Sequence, residues 1–209
     1  MWYTTKVGPD VANAAREFAV HMSHPGTEHW KALGRFIVSL KGEKIIGIII
    51  RKPKVLKAVM FCDSNYATDK ETRKTVSGLV ATLGGKNTNV FVENSENCDA
   101  KQHKSKVHST VSMCTRGKIY KYVAWINDRS GKLSVIYKDN QGGIFLAKNR
   151  QVVIRKNHIY ICHHFLRDMM EDKDVDIQYI RSEEKPADII TKKTLEEYFA
   201  SHMRKITEG

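Results

Sequence analysis

The chain has 209 residues, enough for one large domain or two small ones. Hydrophobic residues make up 41% of the sequence and charged residues 28%, a balance that excludes a disordered chain and allows a buried core. Lysine and arginine number 35 against 23 aspartate and glutamate residues, for a net charge of +12. This excess indicates a polyanionic partner, usually nucleic acid, although a lysine-rich solvated surface has the same composition.

The cysteine pattern and the hydropathy indicate the redox environment of the protein and whether it associates with a membrane. None of the four cysteines lies in a C-x-x-C pair, which argues against a zinc ribbon or a redox motif and favours a reduced intracellular protein, cytoplasmic or nuclear. The most apolar run, residues 45–50, is too short to span a bilayer, so we expect no membrane association and no secretion. Residues 1–5 resemble the middle of a folded region, so we expect a fragment of a longer ancestral chain.

Residues 9–41 predict two helices. Pro9 and Asp10 precede the first, whose apolar residues follow a 3.6-residue period. The sequence His-Pro-Gly-Thr at residues 24–27 interrupts this pattern, and Thr27 is a plausible cap for the second helix. That helix carries apolar residues on one face, namely Trp30, Leu33, Phe36, Ile37 and Leu40. We therefore predict an N-terminal helical hairpin.

From residue 44 the apolar pattern changes to that of strands. Strands are predicted at residues 45–50, 56–62, 77–83, 89–93, 133–137 and 175–180. Residues 94–110 read as a polar loop, and residues 118–125 suit a strand or a helix equally. Helices are predicted after Asp139, over residues 156–171, and from Pro186 to Met203.

Three aspartates stand where predicted elements begin or end. Asp63 follows the strand at 56–62, Asp139 lies between a strand and a helix, and Asp188 lies in the first turn of a helix. We interpret them as three carboxylates that meet around divalent metal. Each also has a structural interpretation: Asp63 as the strand end that caps a turn, Asp139 as a helix N-cap, and Asp188 as a carboxylate favoured by the helix dipole.

Five motifs in sequence then resemble a known family. They are Phe-Cys-Asp-Ser-Asn-Tyr-Ala at 61–67, Arg-Lys-Thr-Val-Ser-Gly at 73–78, Asp-Asn-Gln with Leu-Ala-Lys-Asn within 139–149, Asn-His-Ile with His-Phe within 157–165, and Ala-Asp-Ile-Ile-Thr-Lys at 187–192. Their order and approximate spacing resemble the ribonuclease H domain of copia-type retrotransposon Pol polyproteins. Residues 8–12 and 24–30 resemble the helical end of the reverse transcriptase that precedes it.

The resemblance implies an α/β fold with an RNase H-like mixed sheet and flanking helices, over residues 44–209. The stretch at 86–132 is divergent and shortened, and the helical hairpin occupies residues 1–43. In such a sheet the first three strands form an antiparallel meander. The strands at 133–137 and 175–180 join it in parallel through helical crossovers.

The resemblance also implies an activity, cleavage of the RNA strand of RNA–DNA hybrids. It assigns Asp63, Asp139 and Asp188 as catalytic residues and as ligands of Mg²⁺ or Mn²⁺, with two ions if the site is intact. Magnesium prefers such hard oxygen ligands. Two ions about 4 Å apart can activate the attacking water and stabilise the departing oxygen. Our hypothesis makes Asp63 the carboxylate that bridges them.

One family residue is missing. The family carries a glutamate in a Ser-Thr-Glu-Ala-Glu-Tyr pattern, and residues 117–124 align there with Ile119 and Lys121 in place of the glutamates. Glu93 and Glu96, in the divergent stretch, are the remaining candidates to replace it. Loss of a carboxylate and gain of a lysine both weaken cation binding, so we predict that hydrolysis is severely reduced or absent.

The expected partners are an RNA–DNA hybrid or another nucleic acid, and the rest of a Pol polyprotein. We predict that Lys101, Lys104 and Lys106 contact the nucleic-acid backbone without reading bases. Two alternatives to an impaired ribonuclease H remain open. One is a non-catalytic nucleic-acid-binding relic, and the other is a decayed fragment that does not fold stably.

Overall fold

The computed structural model describes residues 8–42, 57–65, 75–84, 86–95, 133–149, 166–192 and 194–207. Its strands are β1 (Ala58–Asn65), β2 (Thr75–Leu83), β3 (Lys86–Ser95), β4 (Ser134–Lys138) and β5 (Val175–Tyr179). Its helices are α1 (Ala12–Val20), α2 (Thr27–Gly42), α3 (Gln141–Lys148), α4 (residues 166–171), α5 (Asp188–Thr191) and α6 (Glu196–Thr207). Single 3-10 turns occupy Pro9–Val11 and Ser182–Glu184.

The five strands form one mixed sheet in the order β3-β2-β1-β4-β5. β1, β2 and β3 pair antiparallel, whereas β4 pairs in parallel with both β1 and β5. Parallel neighbours need long crossover connections, and these place strands from distant parts of the chain beside β1. The predicted α/β fold, an RNase H-like mixed sheet with flanking helices, is confirmed.

The two faces of the sheet are covered by different helices. Met60 and Cys62 of β1 face one side and pack into a core with residues of α3 and α4. Side chains alternate along a strand, so the other face carries Val80 of β2, which packs with Ile190 of α5 and Ile206 of α6. β1 therefore lies at the centre of the sheet and is covered on both sides.

The N-terminal hairpin is present, and its two helices are covered unequally. Ala12 of α1 belongs to the same core as α5 and α6. The two helices meet through Phe18 and Phe36, whose ring centroids are 5.3 Å apart. No residue of α2 is buried, although the structure describes the whole helix, and Trp30 is 63% exposed. The proposed domain boundary at residue 43 lies outside the described residues and stays a prediction.

The predicted helix from Pro186 to Met203 is wrong as a single element. α5 ends at Thr191, and Lys192 adopts an extended backbone before α6 begins. The break lets both short helices turn apolar residues toward the same core. The predictions for residues 45–50, 118–125 and 156–165 fall outside the described residues. Within the described part of the chain, no helix is long and apolar enough to cross a membrane.

Candidate metal centre

The three aspartates predicted from the sequence lie close together beside β1, the central strand of the sheet. Asp63 lies in β1, Asp139 directly follows β4, and Asp188 begins α5. Each offers one carboxylate oxygen, and these oxygens lie within 4.8 Å of one another. Asp63 and Asp188 are buried, whereas Asp139 is partly open to solvent. The parallel pairing of β1 with β4 brings the first two side chains together, and the segment after β5 adds the third.

The local structure does not support the capping interpretations of Asp63 and Asp139. β1 continues beyond Asp63 to Asn65, so this aspartate does not end its strand. The N-cap of α3 is Asn140, whose side chain accepts a hydrogen bond from the backbone N–H of Gly143, so the capping interpretation of Asp139 is wrong. Asp188 does lie in the first turn of α5, as expected.

A lysine that the sequence analysis did not identify lies among the three carboxylates. Lys185 Nζ lies 2.6 Å from Asp63 Oδ1, 2.8 Å from Asp139 Oδ2 and 2.8 Å from Asp188 Oδ1. Its side chain is completely buried. An ammonium group has three N–H donors, so each carboxylate can receive one of them.

The backbone between β5 and α5 carries Lys185 into this position. Ile180 donates its N–H to the carbonyl of Lys138, which holds the segment against the end of β4. The 3-10 turn at Ser182–Glu184 then leads directly to Lys185. The one local signal in the sequence was the three-residue spacing between Lys185 and Asp188, which favours contact on one side of a helical turn.

Further polar side chains contact the carboxylates, namely Thr191, Lys192 and Ser182. Thr191 donates its hydroxyl to Asp63 Oδ2, and Lys192 Nζ lies 2.8 Å from Asp188 Oδ2 and 3.4 Å from Asp63 Oδ2. Ser182 donates its hydroxyl to Asp139 Oδ2 at 3.3 Å. Lys192 is one-third exposed and therefore approaches the cluster from its solvent side.

The electrostatics favour the charged forms of Asp63 and Lys185. Burial alone would raise the pKa of Asp63, but the ammonium groups of Lys185 and Lys192, with the hydrogen bonds from Lys185 and Thr191, lower it below its usual value. Burial alone would lower the pKa of Lys185, but the charges of Asp63 and Asp188 and its hydrogen bonds raise it. The centre is therefore a cluster of ion pairs at neutral pH.

A glycine on β2 allows α5 to approach the sheet. Gly78 lies opposite Asp63 in the β1–β2 pairing. A Cβ atom at this position would lie 2.4 Å from Thr191 Cγ2 and 2.9 Å from Ile190 Cγ1. Only a residue without a side chain lets α5 pack here, and α5 carries both Asp188 and Thr191.

Several predicted site residues lie outside this description. Lys101, Lys104 and Lys106 fall outside the described residues, as do Glu96 and the stretch at 117–124. The backbone of Glu93 lies in β3 opposite Ser77, two strands away from β1. The role of these residues stays a prediction.

The donor set suits a divalent metal. Three carboxylates provide the hard oxygen atoms that Mg²⁺ and Mn²⁺ prefer, from three separate elements that the fold holds in place. Lys185 Nζ supplies positive charge within the same group of oxygens. The three carboxylates therefore surround a position that the Lys185 ammonium occupies.

The chain has relatives among known proteins over most of its length. No protein-family model matches the chain. The chain is 27% identical, over 88% of its length, to the retrovirus-related Pol polyprotein from transposon TNT 1-94 of Nicotiana tabacum, and 25% identical, over 98%, to that from transposon RE2 of Arabidopsis thaliana. It spans 14% of the length of each relative.

Among solved structures, the chain is similar to LC11-RNase H1 isolated from compost, with a TM-score of 0.46 and 8% identity, over 65% of this chain and 93% of that one. It is also similar to the N-terminal RNase H domain of Rv2228c from Mycobacterium tuberculosis, with a TM-score of 0.43 and 8% identity, over 71% of this chain and 97% of that one. The sequence relatives of this chain over most of its length are Pol polyproteins of copia-type retrotransposons.

Proposed function

We propose that this chain is a retrotransposon-derived ribonuclease H-like domain that binds RNA–DNA hybrids and whose hydrolytic activity is severely reduced or absent. The convergence of Asp63, Asp139 and Asp188 carries the proposal. These three residues would hold the divalent metal, which when bound would activate a water molecule for attack on the phosphodiester. Its polyprotein relatives support a nucleic-acid partner and an origin within a larger Pol chain.

Two features support the impairment. The alignment of residues 117–124 with the family motif leaves no glutamate at the expected position. The Lys185 ammonium also balances part of the carboxylate charge that a metal site needs. The same two features favour the second candidate, a nucleic-acid-binding domain without catalysis.

The test is a cleavage and binding assay on one substrate, an RNA strand labelled at its 5′ end and annealed to DNA. Wild type is compared with Asp63→Asn and with Asp168→Asn, a matched control because Asp168 is exposed on α4. We expect all three proteins to bind the hybrid. Trace cleavage in Mg²⁺ or Mn²⁺, lost only in Asp63→Asn, would identify an impaired ribonuclease H.

The other outcomes separate the candidates. Binding without cleavage in any protein would assign the non-catalytic role. Vigorous cleavage by wild type, abolished by Asp63→Asn, would refute the impairment. Failure of a folded wild-type protein to bind the hybrid would refute both candidates.

A further inference from the structure

We propose that Lys185 is a tethered cation that occupies the metal position of the carboxylate cluster and competes with divalent metal for it. The inference rests on the metal site of the proposed function. The Lys185 ammonium serves as a counter-ion for the three carboxylates in the absence of metal. A divalent ion must therefore displace this ammonium before it can bind.

The geometry of the ammonium group is the first support. Its three contacts, of 2.6–2.8 Å, go to three different aspartates. These are the same aspartates whose oxygens lie within 4.8 Å of one another. The ammonium nitrogen therefore lies within ion-pair distance of one oxygen of each aspartate that would bind a metal.

Burial is the second support. The Lys185 side chain has no exposed surface, and that of Asp63 is 1% exposed. A buried charge is costly unless it is paired, and removal of one partner leaves the others uncompensated. The three carboxylates therefore need a cation for folding, and Lys185 supplies one from within the chain.

Mutual exclusion follows from charge and space. A divalent ion bound to these oxygens would lie within a few ångströms of the ammonium, where the two positive charges repel strongly because little water screens them. Lys192 differs, since it is one-third exposed and reaches two of the aspartates from the solvent side. Lys185 is thus the lysine whose charge should compete directly with metal.

The experiment compares wild type with Lys185→Met, whose unbranched side chain is one atom shorter and carries no charge. Binding of Mg²⁺ and of Mn²⁺ is measured by calorimetry, and thermal unfolding is followed with and without each ion. The control is Lys41→Met, an equal loss of charge on the exposed end of α2. Asp63→Asn, in the wild-type and Lys185→Met backgrounds, shows whether any binding uses the cluster.

We expect Lys185→Met to be less stable than wild type without metal, and to bind either ion more tightly than wild type by on the order of tenfold or more. Metal should restore its melting temperature because the ion replaces the missing charge. Lys41→Met should bind metal as wild type does. Asp63→Asn should abolish the binding gained by Lys185→Met.

Two results would overturn the inference in distinguishable ways. Equal metal affinity in wild type and Lys185→Met, lost in Asp63→Asn, would keep the metal site of the proposed function but remove the competition. Metal binding in neither folded protein would remove the metal site itself.

A second pair of variants covers the case in which Lys185→Met does not fold in any buffer. Asp139→Asn keeps Lys185 and two carboxylates, and Asp139→Asn with Lys185→Met leaves those two carboxylates without the ammonium. Tighter metal binding by the double variant than by Asp139→Asn supports the competition. Equal binding, or none in either protein, overturns it.

Discussion

Cys62, next to Asp63 on β1, is a thiol whose ionisation the fold opposes. Its side chain faces the core beneath α3 and α4 and is 1% exposed. Burial raises the pKa of this thiol to about 11, even though the nearby charges of Lys138 and Lys185 act in the opposite direction. In the unfolded chain a cysteine thiol has a pKa of about 8.5, so the two states differ in proton binding over alkaline pH.

This difference predicts a pH dependence of stability. The contribution of Cys62 is fully present below the unfolded pKa and is lost as pH rises toward about 11, because the unfolded state then releases a proton that the folded state retains. Between pH 8 and about 10.5 we expect the free energy of unfolding of wild type to fall by on the order of 2 kcal/mol relative to Cys62→Ala. Urea unfolding at the two pH values measures it.

Comparison with Cys62→Ala also reduces an opposing contribution. Burial lowers the pKa of Lys138 to about 8, which stabilises the fold as pH rises above that value. Both proteins contain this lysine, but the charge of Cys62 raises its pKa, so the comparison reduces the contribution without removing it. If the stabilities of the two proteins follow parallel pH curves, the Cys62 thiol is not desolvated in the folded state.

Sequence reasoning reached the three aspartates but not the lysine between them. Asp63, Asp139 and Asp188 could be found because each lies within a family motif at a predicted strand or helix end. Lys185 and Asp63 are 122 residues apart, and only the parallel sheet brings them together. A lysine beside a proline in a polar segment is ordinarily read as solvated, and its three-residue spacing from Asp188 is too weak a signal to indicate a buried position.

At the scale of elements, the contact between β2 and α5 depends on Gly78. We predict that Gly78→Ala lowers the free energy of unfolding by about 1–3 kcal/mol, because the added methyl group would overlap Thr191 and Ile190. Thermal or urea unfolding followed by circular dichroism measures the change. The variant should also weaken any metal binding, since α5 carries Asp188.

Gly34→Ala is the matched control for this substitution. Gly34 lies in α2, and nothing lies within 4 Å of the position of its added Cβ. Alanine favours a helix over glycine, so we expect this variant to gain up to about 1 kcal/mol. Equal stability of Gly78→Ala and wild type would mean that Thr191 and Ile190 of α5 do not pack closely against Gly78 of β2.

The break between α5 and α6 could not be predicted from the sequence pattern. The pattern from Pro186 to Met203 has the helical period throughout, so no local signal marks the extended residue Lys192. The break reflects packing, because Ile190 and Ile206 must both reach the core above β2. The strands were easier to predict, since their period and their family motifs agree.

For the whole molecule, the net charge of +12 predicts salt-dependent binding to nucleic acid. We expect replacement of Lys101, Lys104 and Lys106 by glutamine to weaken binding to an RNA–DNA hybrid. It should also reduce the slope of log affinity against log salt by about 2 to 3, one unit or slightly less per lost phosphate contact. Fluorescence anisotropy across a salt series measures both.

A second triple variant, with Lys31, Arg35 and Lys41 of α2 replaced by glutamine, loses the same charge elsewhere. It should change the slope little if the predicted loop contacts the hybrid. Equal slopes for the two triple variants would show that binding depends on total charge and that the predicted loop at residues 94–110 makes no specific contact with the hybrid.

The central position of β1 has a consequence for how the chain is made. β1, β2 and β3 are contiguous in sequence and can pair while synthesis continues, but the other edge of β1 receives β4 only later. Until then a nascent chain presents an open strand edge, and Asp63 lies beside it without its ammonium partner. A ribosome that stalls before β4 would therefore release a product prone to pair with other chains, and this hazard ends once β4 has been made and pairs with β1.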